Sequence, residues 1–301
     1  MKTDLRSWAL LVILACIWGS SFLLMKRGMV ALDGTPLFSD VQVGALRMAI
    51  AGTIMLPFGL RLFKQIKTGR DWFSLAIVGF CGNFFPAFLF TFAETNLSSG
   101  MAGMLNSFTP FFTLLLGWMI FKQGILLRQV LGLFTAFLGI VLLVGSESLI
   151  QTNFSWLHAG AVILATVFYA TSLNTIKHRL GHVRSLDITA LAFSLTAIPA
   201  WIVVYMSNTG EVVSTHPSAW EGLGFITILS AVGTCLAVFL FNRLIALKSA
   251  VFASSVTYII PIVAVILGMI FLKESFHWVQ LIGMFVIIGG VYVANNTVKR
   301  S

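Results

Sequence analysis

The side chains able to do chemistry in this sequence lie inside long apolar runs, and their types suit reversible binding better than bond making. Arg47 stands well inside a run that opens at Val41, about 9 Å in at 1.5 Å per residue. A cation at that depth is costly and ordinarily faces protein or water. It could bind an anionic group of a ligand, snorkel to headgroups, or pair with Glu94 at the end of the next run. Pro110 and Pro261 fall near the middle of two other runs. Asn106, Ser107, Thr109 and Thr113 surround the first, and Ser254, Ser255, Thr257 and Tyr258 the second. Proline removes a backbone hydrogen bond and bends a helix. The carbonyls it frees must face a cavity or another helix, or be satisfied by nearby hydroxyls in a static kink. Trp18, Ser21, Phe22, Asn83, Tyr169, Ser172 and Thr234 add aromatic and polar groups from further runs, a mixture that fits an amphipathic small molecule. With Arg47, Asn106, Thr109, Pro110, Ser254, Thr257, Tyr258 and Pro261 they form the candidate substrate-binding set.

Signatures of catalysis are missing from the sequence. It contains no His-Glu-x-x-His, no paired aspartates of the kind that hold magnesium and a diphosphate, and no phosphate-cradling glycine loop. His158, His178, His182, His216 and His277 fall at or beyond the ends of apolar runs, so no metal and no cofactor is expected. Cys16, Cys81 and Cys235 lie within runs and read as small apolar packing. An enzyme acting on lipid-linked substrates would need a cluster of acids or histidines near one surface. A membrane scaffold that moves nothing would not need prolines and polar groups at mid-span.

The elements that must position these residues follow from composition. Hydrophobic residues make up 58% of the 301 and charged ones 10%, against roughly 25% charge in a soluble domain. Between short charged clusters lie ten runs near the length of about 20 residues that crosses a bilayer as helix. They are 7–25, 41–60, 72–91, 100–121, 128–145, 156–176, 186–206, 220–242, 250–272 and 276–295. The expected fold is therefore an all-α membrane protein of ten transmembrane helices. Trp8, Trp72, Trp156, Trp220 and Trp278 sit at run ends and read as interfacial belt. The net charge of +9 is a topology signal and predicts no nucleic-acid partner. Lys2, Arg6, Arg61, Lys64, Lys67, Arg70, Lys122, Arg128, Lys177, Arg179, Arg184, Arg243, Lys248, Lys299 and Arg300 all fall on one set of alternate connections. By the positive-inside rule that side is cytoplasmic, with both termini, in a multi-pass protein of the inner (plasma) membrane.

The chain also repeats itself. At an offset of 151 residues, without a gap, Ser98, Pro110, Gly117, Lys122, Gly132 and Gly139 fall on Ser249, Pro261, Gly268, Lys273, Gly283 and Gly290. The offset extends upstream, with Ser21 on Ser172, Lys26 on Lys177, Asn83 on Thr234, and Phe88 and Phe90 on Phe239 and Phe241. Two repeats, 5–145 and 156–296, thus hold five spans each, and the join carries Glu147, Gln151, Thr152 and Asn153. An odd number of spans makes the second copy enter the membrane from the opposite side, the mark of an inverted-repeat transporter.

Trp18-Gly19-Ser20-Ser21-Phe22 with Lys26, then Leu46-Arg47-Met48, then Pro110 followed by Gly117 and Lys122-Gln123, resembles the drug/metabolite transporter superfamily in its ten-helix EamA-like branch. The likeness covers essentially the whole chain, since Pro261, Gly268 and Lys273-Glu274 recur in the same order. It implies a ten-helix inverted-repeat fold that moves small metabolites, often amino acids or related amphipathic compounds, commonly outward. One position departs from the pattern: the acidic residue usual after the fourth helix is Gln123, while the second copy keeps Glu274.

Overall fold

The structure, a computed structural model, describes residues 2–66, 68–150, 155–248, 250–274 and 278–295. Lys67, Gln151, Thr152, Asn153, Ser249, Phe276, His277, Asn296, Lys299 and Arg300, used above, lie outside the described residues. Fifteen α-helical segments follow one another: α1 Lys2–Met29, α2 Asp40–Leu62, α3 Gly69–Gly79, α4 Phe85–Glu94, α5 Ser99–Asn106, α6 Thr109–Phe121, α7 Leu127–Ile150, α8 Trp156–Arg179, α9 Ser185–Met206, α10 Thr209–Thr215, α11 Ala219–Ile228, α12 Ala237–Leu247, α13 Ala250–Ser254, α14 Ile260–Leu272 and α15 Trp278–Asn295. A π-helical turn, Phe80–Phe84, joins α3 to α4, another, Leu229–Leu236, joins α11 to α12, and a 3-10 turn, Ser255–Tyr258, links α13 to α14. Among the described residues there is no strand beyond one isolated bridge between Val30 and Pro36.

Among the described residues eight helices are long and apolar enough to cross a membrane, the broken pairs such as Gly69–Glu94 and Ala219–Leu247 counting as one span each. The fifth and tenth runs of the sequence correspond to α7 and α15, whose apolar stretches, Leu127–Gly139 and Leu281–Gly290, are shorter. Bulky apolar side chains point outward all round, among them Phe134, Leu164, Trp201, Ile228 and Phe285. Their hydration would be prohibitive in water, and lipid removes that cost.

The 151-residue offset reappears in the backbone. Helices α6 and α14 begin at Thr109 and Ile260, end at Phe121 and Leu272, and stop identically. Lys122 (φ 54°) and Lys273 (φ 56°) turn into the left-handed region, and the next amides, of Gln123 and Glu274, return to the carbonyls of Gly117 and Gly268 at 3.1 and 3.2 Å. The amides of Lys122 and Lys273 reach the same two carbonyls, so a left-handed residue closes each helix C-terminus on a single carbonyl. Packing is reciprocal as well. The helix α6 packs on α8 and α14 on α1, while α3 and α4 pack on α8 and α11 and α12 on α1. Two further pairs join an element to its own repeat mate, α2 on α9 and α7 on α15.

Both prolines start helices rather than bending them. Pro110 and Pro261 occupy the first turns of α6 and α14, where a missing N–H costs nothing because no intrahelical acceptor exists for it. Upstream, the chain tightens through short bonds of Phe108 N to Leu105 O (3.1 Å) and Ile259 N to Val256 O (3.1 Å). The carbonyls four residues before each proline take hydroxyls instead of amides. Thr109 Oγ1 donates to Asn106 O at 2.8 Å, and Ser107 Oγ donates to Thr257 O at 2.9 Å. The freed carbonyls are thus satisfied within the protein, as in the static kink, and the side chains bond locally too, Asn106 Oδ1 accepting from Thr109 Oγ1 at 3.2 Å and Thr257 Oγ1 donating to Ser254 O at 2.8 Å.

Close backbone approach sets the α2–α9 pair. A methyl group on Gly52 would stand 2.6 Å from Ala197 Cβ, 2.9 Å from Ala197 Cα and 3.1 Å from Phe193 O, and backbone cannot yield as a side chain does. Gly52→Ala is therefore expected to destabilise the protein by about 1–3 kcal/mol, the usual cost of overpacking, seen as a lower thermal midpoint in detergent. An unchanged midpoint would mean that the two helices can separate freely.

Candidate functional site

One cavity gathers residues from nearly every span. The helix α1 contributes Trp18, Ser21, Phe22 and Met25; α2 Arg47 and Met48; α3 and its π turn Val78, Gly82 and Asn83; α4 Phe90; α5 and α6 Asn106 and Thr109. From the second half come Tyr169, Ser172, Leu173 and Ile176 on α8, Thr234 on the other π turn, Val238, Phe241 and Asn242 on α12, then Thr257 and Ile260. The space between them is partly open to solvent.

The π turns explain how polar groups come to face inward here. Widening the helix by one residue leaves a carbonyl without its usual amide, and such turns frequently mark functional positions. Asn83 Nδ2 donates to Val78 O at 3.2 Å, and its repeat mate Thr234 Oγ1 donates to Leu229 O at 3.0 Å, each spanning five residues. Trp18 Nε1 reaches across to Gly233 O at 3.1 Å. Glycine is needed beside each turn, because a Cβ on Gly82 would collide with the Ser172 hydroxyl and one on Gly233 would stand 2.7 Å from the Ser21 hydroxyl. The two halves repeat this contact with roles exchanged.

Arg47 is 8% exposed and donates from Nε to Thr234 Oγ1 at 2.8 Å, with one terminal nitrogen 3.6 Å from Met25 Sδ. Among the described residues it pairs with no carboxylate, so neither the pair with Glu94 nor snorkelling describes it. A guanidinium has five donors, and one ordinary hydroxyl and one weak sulfur acceptor leave most of that capacity to whatever enters the cavity. Aromatic rings wall the space. Trp18 meets Phe241 edge-on with centroids 4.7 Å apart, and Phe90 lies between Phe22 and Tyr169, at 5.9 Å from each.

Of the residues expected from sequence, Trp18, Ser21, Phe22, Arg47, Asn83, Asn106, Thr109, Tyr169, Ser172, Thr234 and Thr257 line this cavity together. Pro110, Ser254, Tyr258 and Pro261 do not, being packed behind it: Ser254 and Tyr258 are buried, and Pro261 lies against Gly103 of α5. Met25, Met48, Val78, Gly82, Phe90, Leu173, Ile176, Val238, Phe241, Asn242 and Ile260 were not expected. Phe90 with Phe241 and Leu173 with Phe22 are repeat mates, but so are the lipid-facing Phe134 and Phe285, so the offset alone does not single out the apolar lining. Lys26 forms an ion pair with Glu274 at 2.7 Å. The Glu274 carboxylate also accepts from the Ser99 amide and hydroxyl at the start of α5.

Comparison with known proteins agrees with this architecture. The model of the EamA-like transporter family matches twice, over residues 6–145 and 156–296. An uncharacterized transporter of Archaeoglobus fulgidus is 24% identical over 96% of this chain and 98% of its own length. A probable terminal-alkyne amino-acid exporter of Streptantibioticus cattleyicolor is 25% identical over 98% of this chain and 95% of its own. A crystal structure superposes with a TM-score of 0.65 at 15% identity, over 96% of this chain and 97% of the other, a likeness of fold. With two family units covering nearly all of its length, the chain is a multi-pass membrane transporter belonging to the EamA-like transporter family.

Proposed function

We propose that this protein exports small amphipathic metabolites bearing a carboxylate, amino acids among them, across the inner (plasma) membrane by alternating access. The observation that carries the reading is a buried Arg47 without a carboxylate partner in an aromatic-walled cavity. Arg47 would take the carboxylate, the Asn83, Asn106, Thr109, Thr234 and Thr257 side chains would hydrogen-bond the polar end, and Trp18, Phe22 and Tyr169 would hold the apolar body. Ser21 and Ser172 would keep the π turns at their distance. Pro110 and Pro261, with Ser254 and Tyr258 behind them, would fix where α6 and α14 begin and so place Thr109 and Thr257.

Ten spans in two inverted five-helix repeats supply the movement. The reciprocal packing of α6 on α8 and α14 on α1 supports a two-fold relation between the halves, and α7 and α15 serve as the fifth and tenth spans. An odd span number per repeat then places the axis in the membrane plane, so rocking one half against the other exposes the same cavity to each side in turn. The basic residues on alternate connections put both termini in the cytoplasm. The relative named as an amino-acid exporter supports the substrate class.

The test is uptake and counterflow in proteoliposomes of purified protein with radiolabelled L-leucine and L-phenylalanine, beside their methyl esters, nucleobases and quaternary ammonium compounds. The free acids are expected to be carried and their esters rejected. Transport of esters or cationic compounds without the acids would overturn the proposed role of Arg47.

A further inference from the structure

We propose that Glu94 is the proton-carrying group of this transporter, so that each substrate leaving is exchanged for a proton entering; the coupling rests on the export reading, whereas the protonation itself does not. Glu94 is the last residue of α4 and only 4% exposed. Neither of its carboxylate oxygens has a hydrogen-bond partner among the described residues. It stands one helical turn beyond Phe90, which lines the cavity, on the same face of α4. A buried carboxylate without hydrogen bonds is a poor place for a permanent charge. The negative end of the α4 dipole adds to that penalty.

The charged groups that act on Glu94 are Lys26 on α1, Glu274 beyond α14 and Arg47 on α2. Lys26 is already held by Glu274 at 2.7 Å, and Arg47 by Thr234 at 2.8 Å. The neighbouring α8 offers His158, stacked on Phe92 at 4.3 Å, and Tyr169, stacked on Phe90, while α5 carries no titratable residue. Glu94 therefore lies within electrostatic reach of Lys26, Glu274 and Arg47 but, among the described residues, is in ion-pair contact with no cation. In the proposed step the carboxyl O–H breaks heterolytically, the electron pair stays on the carboxylate, and the proton passes to water on the side then open. The new carboxylate competes with Glu274 for Lys26 and so links deprotonation to the contact between α1 and the end of α14. Protonation from the opposite side restores the neutral acid, and a zwitterionic substrate makes the exchange move one net charge.

Two measurements on full-length protein in lipid decide the matter. Infrared difference spectra across a pH titration are expected to show the carbonyl stretch of a neutral carboxyl group in wild type, lost in Glu94→Gln and shifted in Glu94→Asp. If Glu94→Gln removes no such band, the proposal fails. In proteoliposomes with the membrane potential clamped at zero and the interior one pH unit more acidic, wild type should accumulate L-leucine about tenfold at one proton per substrate. Glu94→Gln should give no gradient-driven accumulation, and Glu94→Asp should restore part of it. Gradient-driven accumulation that persists in Glu94→Gln would overturn the coupling. If wild type fails to move L-leucine at all, the substrate class is wrong, and the infrared result alone still decides for or against Glu94.

Discussion

Arg47→Ala is expected to weaken binding of carboxylate-bearing substrates about 100-fold while the protein stays folded. A charge-assisted hydrogen bond contributes about 1.5–3 kcal/mol, and a guanidinium gripping a carboxylate through two of them is bidentate and directional. Arg47→Lys keeps the charge but not the fork, and it cannot hold the Thr234 contact and the ligand in one plane, so an intermediate loss is expected. Stability should change little or rise. The arginine is buried without a carboxylate, and removing such a charge relieves desolvation that its present contacts with Thr234 and Met25 only partly offset. Equilibrium binding of L-leucine or L-phenylalanine and the thermal midpoint would be measured on the same purified variants. Wild-type affinity in both variants would leave Arg47 as a packing residue and remove the basis for an anionic substrate.

The reason Arg47 could be singled out from sequence is that a charge inside an apolar run has few roles open to it. The same holds for Asn83 with Thr234 and Asn106 with Thr257, polar residues at mid-span that fall on each other at the offset, and the cavity brings them together. Apolar lining was not legible in that way. Phe90, Leu173, Val238 and Phe241 have the same composition as residues that face lipid, such as Phe134 and Leu164, and only packing separates the two groups. The π turns were hidden too. Gly82-Asn83 and Gly233-Thr234 match at the offset, but nothing in local propensity announces one extra residue per turn. The prolines misled in detail, because a proline at mid-span reads as a kink when considered alone. Here the chain closes one helix before it and opens another, with Thr109 and Ser107 filling the carbonyls it strands.

Breaking the Lys26–Glu274 pair should loosen one end of the protein only. The pair ties α1 to the segment after α14, and through the Ser99 amide and hydroxyl it also holds the start of α5. Its repeat counterpart lacks the charge. Gln123 replaces the acid, and Lys177, the mate of Lys26, donates to the Lys248 carbonyl at 3.2 Å. In the proposed orientation the ionic closure is on the outer side and has no equivalent on the inner one, which biases the resting protein toward opening inward. The side chains are only 22% and 15% exposed, so solvent screens the pair incompletely. Losing about 1.4 kcal/mol of closure shifts a two-state equilibrium tenfold. Glu274→Gln should therefore raise, about tenfold, the rate at which an impermeant maleimide in whole cells labels a single cysteine at position 90 of a cysteine-free variant. Gln123→Glu should act in the same sense, by giving Lys177 a carboxylate at the inner end, where closing that side favours the outward-open form. Equal labelling rates in wild type and Glu274→Gln would show that the pair only decorates the surface, and the bias between the two faces would then have to come from helix packing alone.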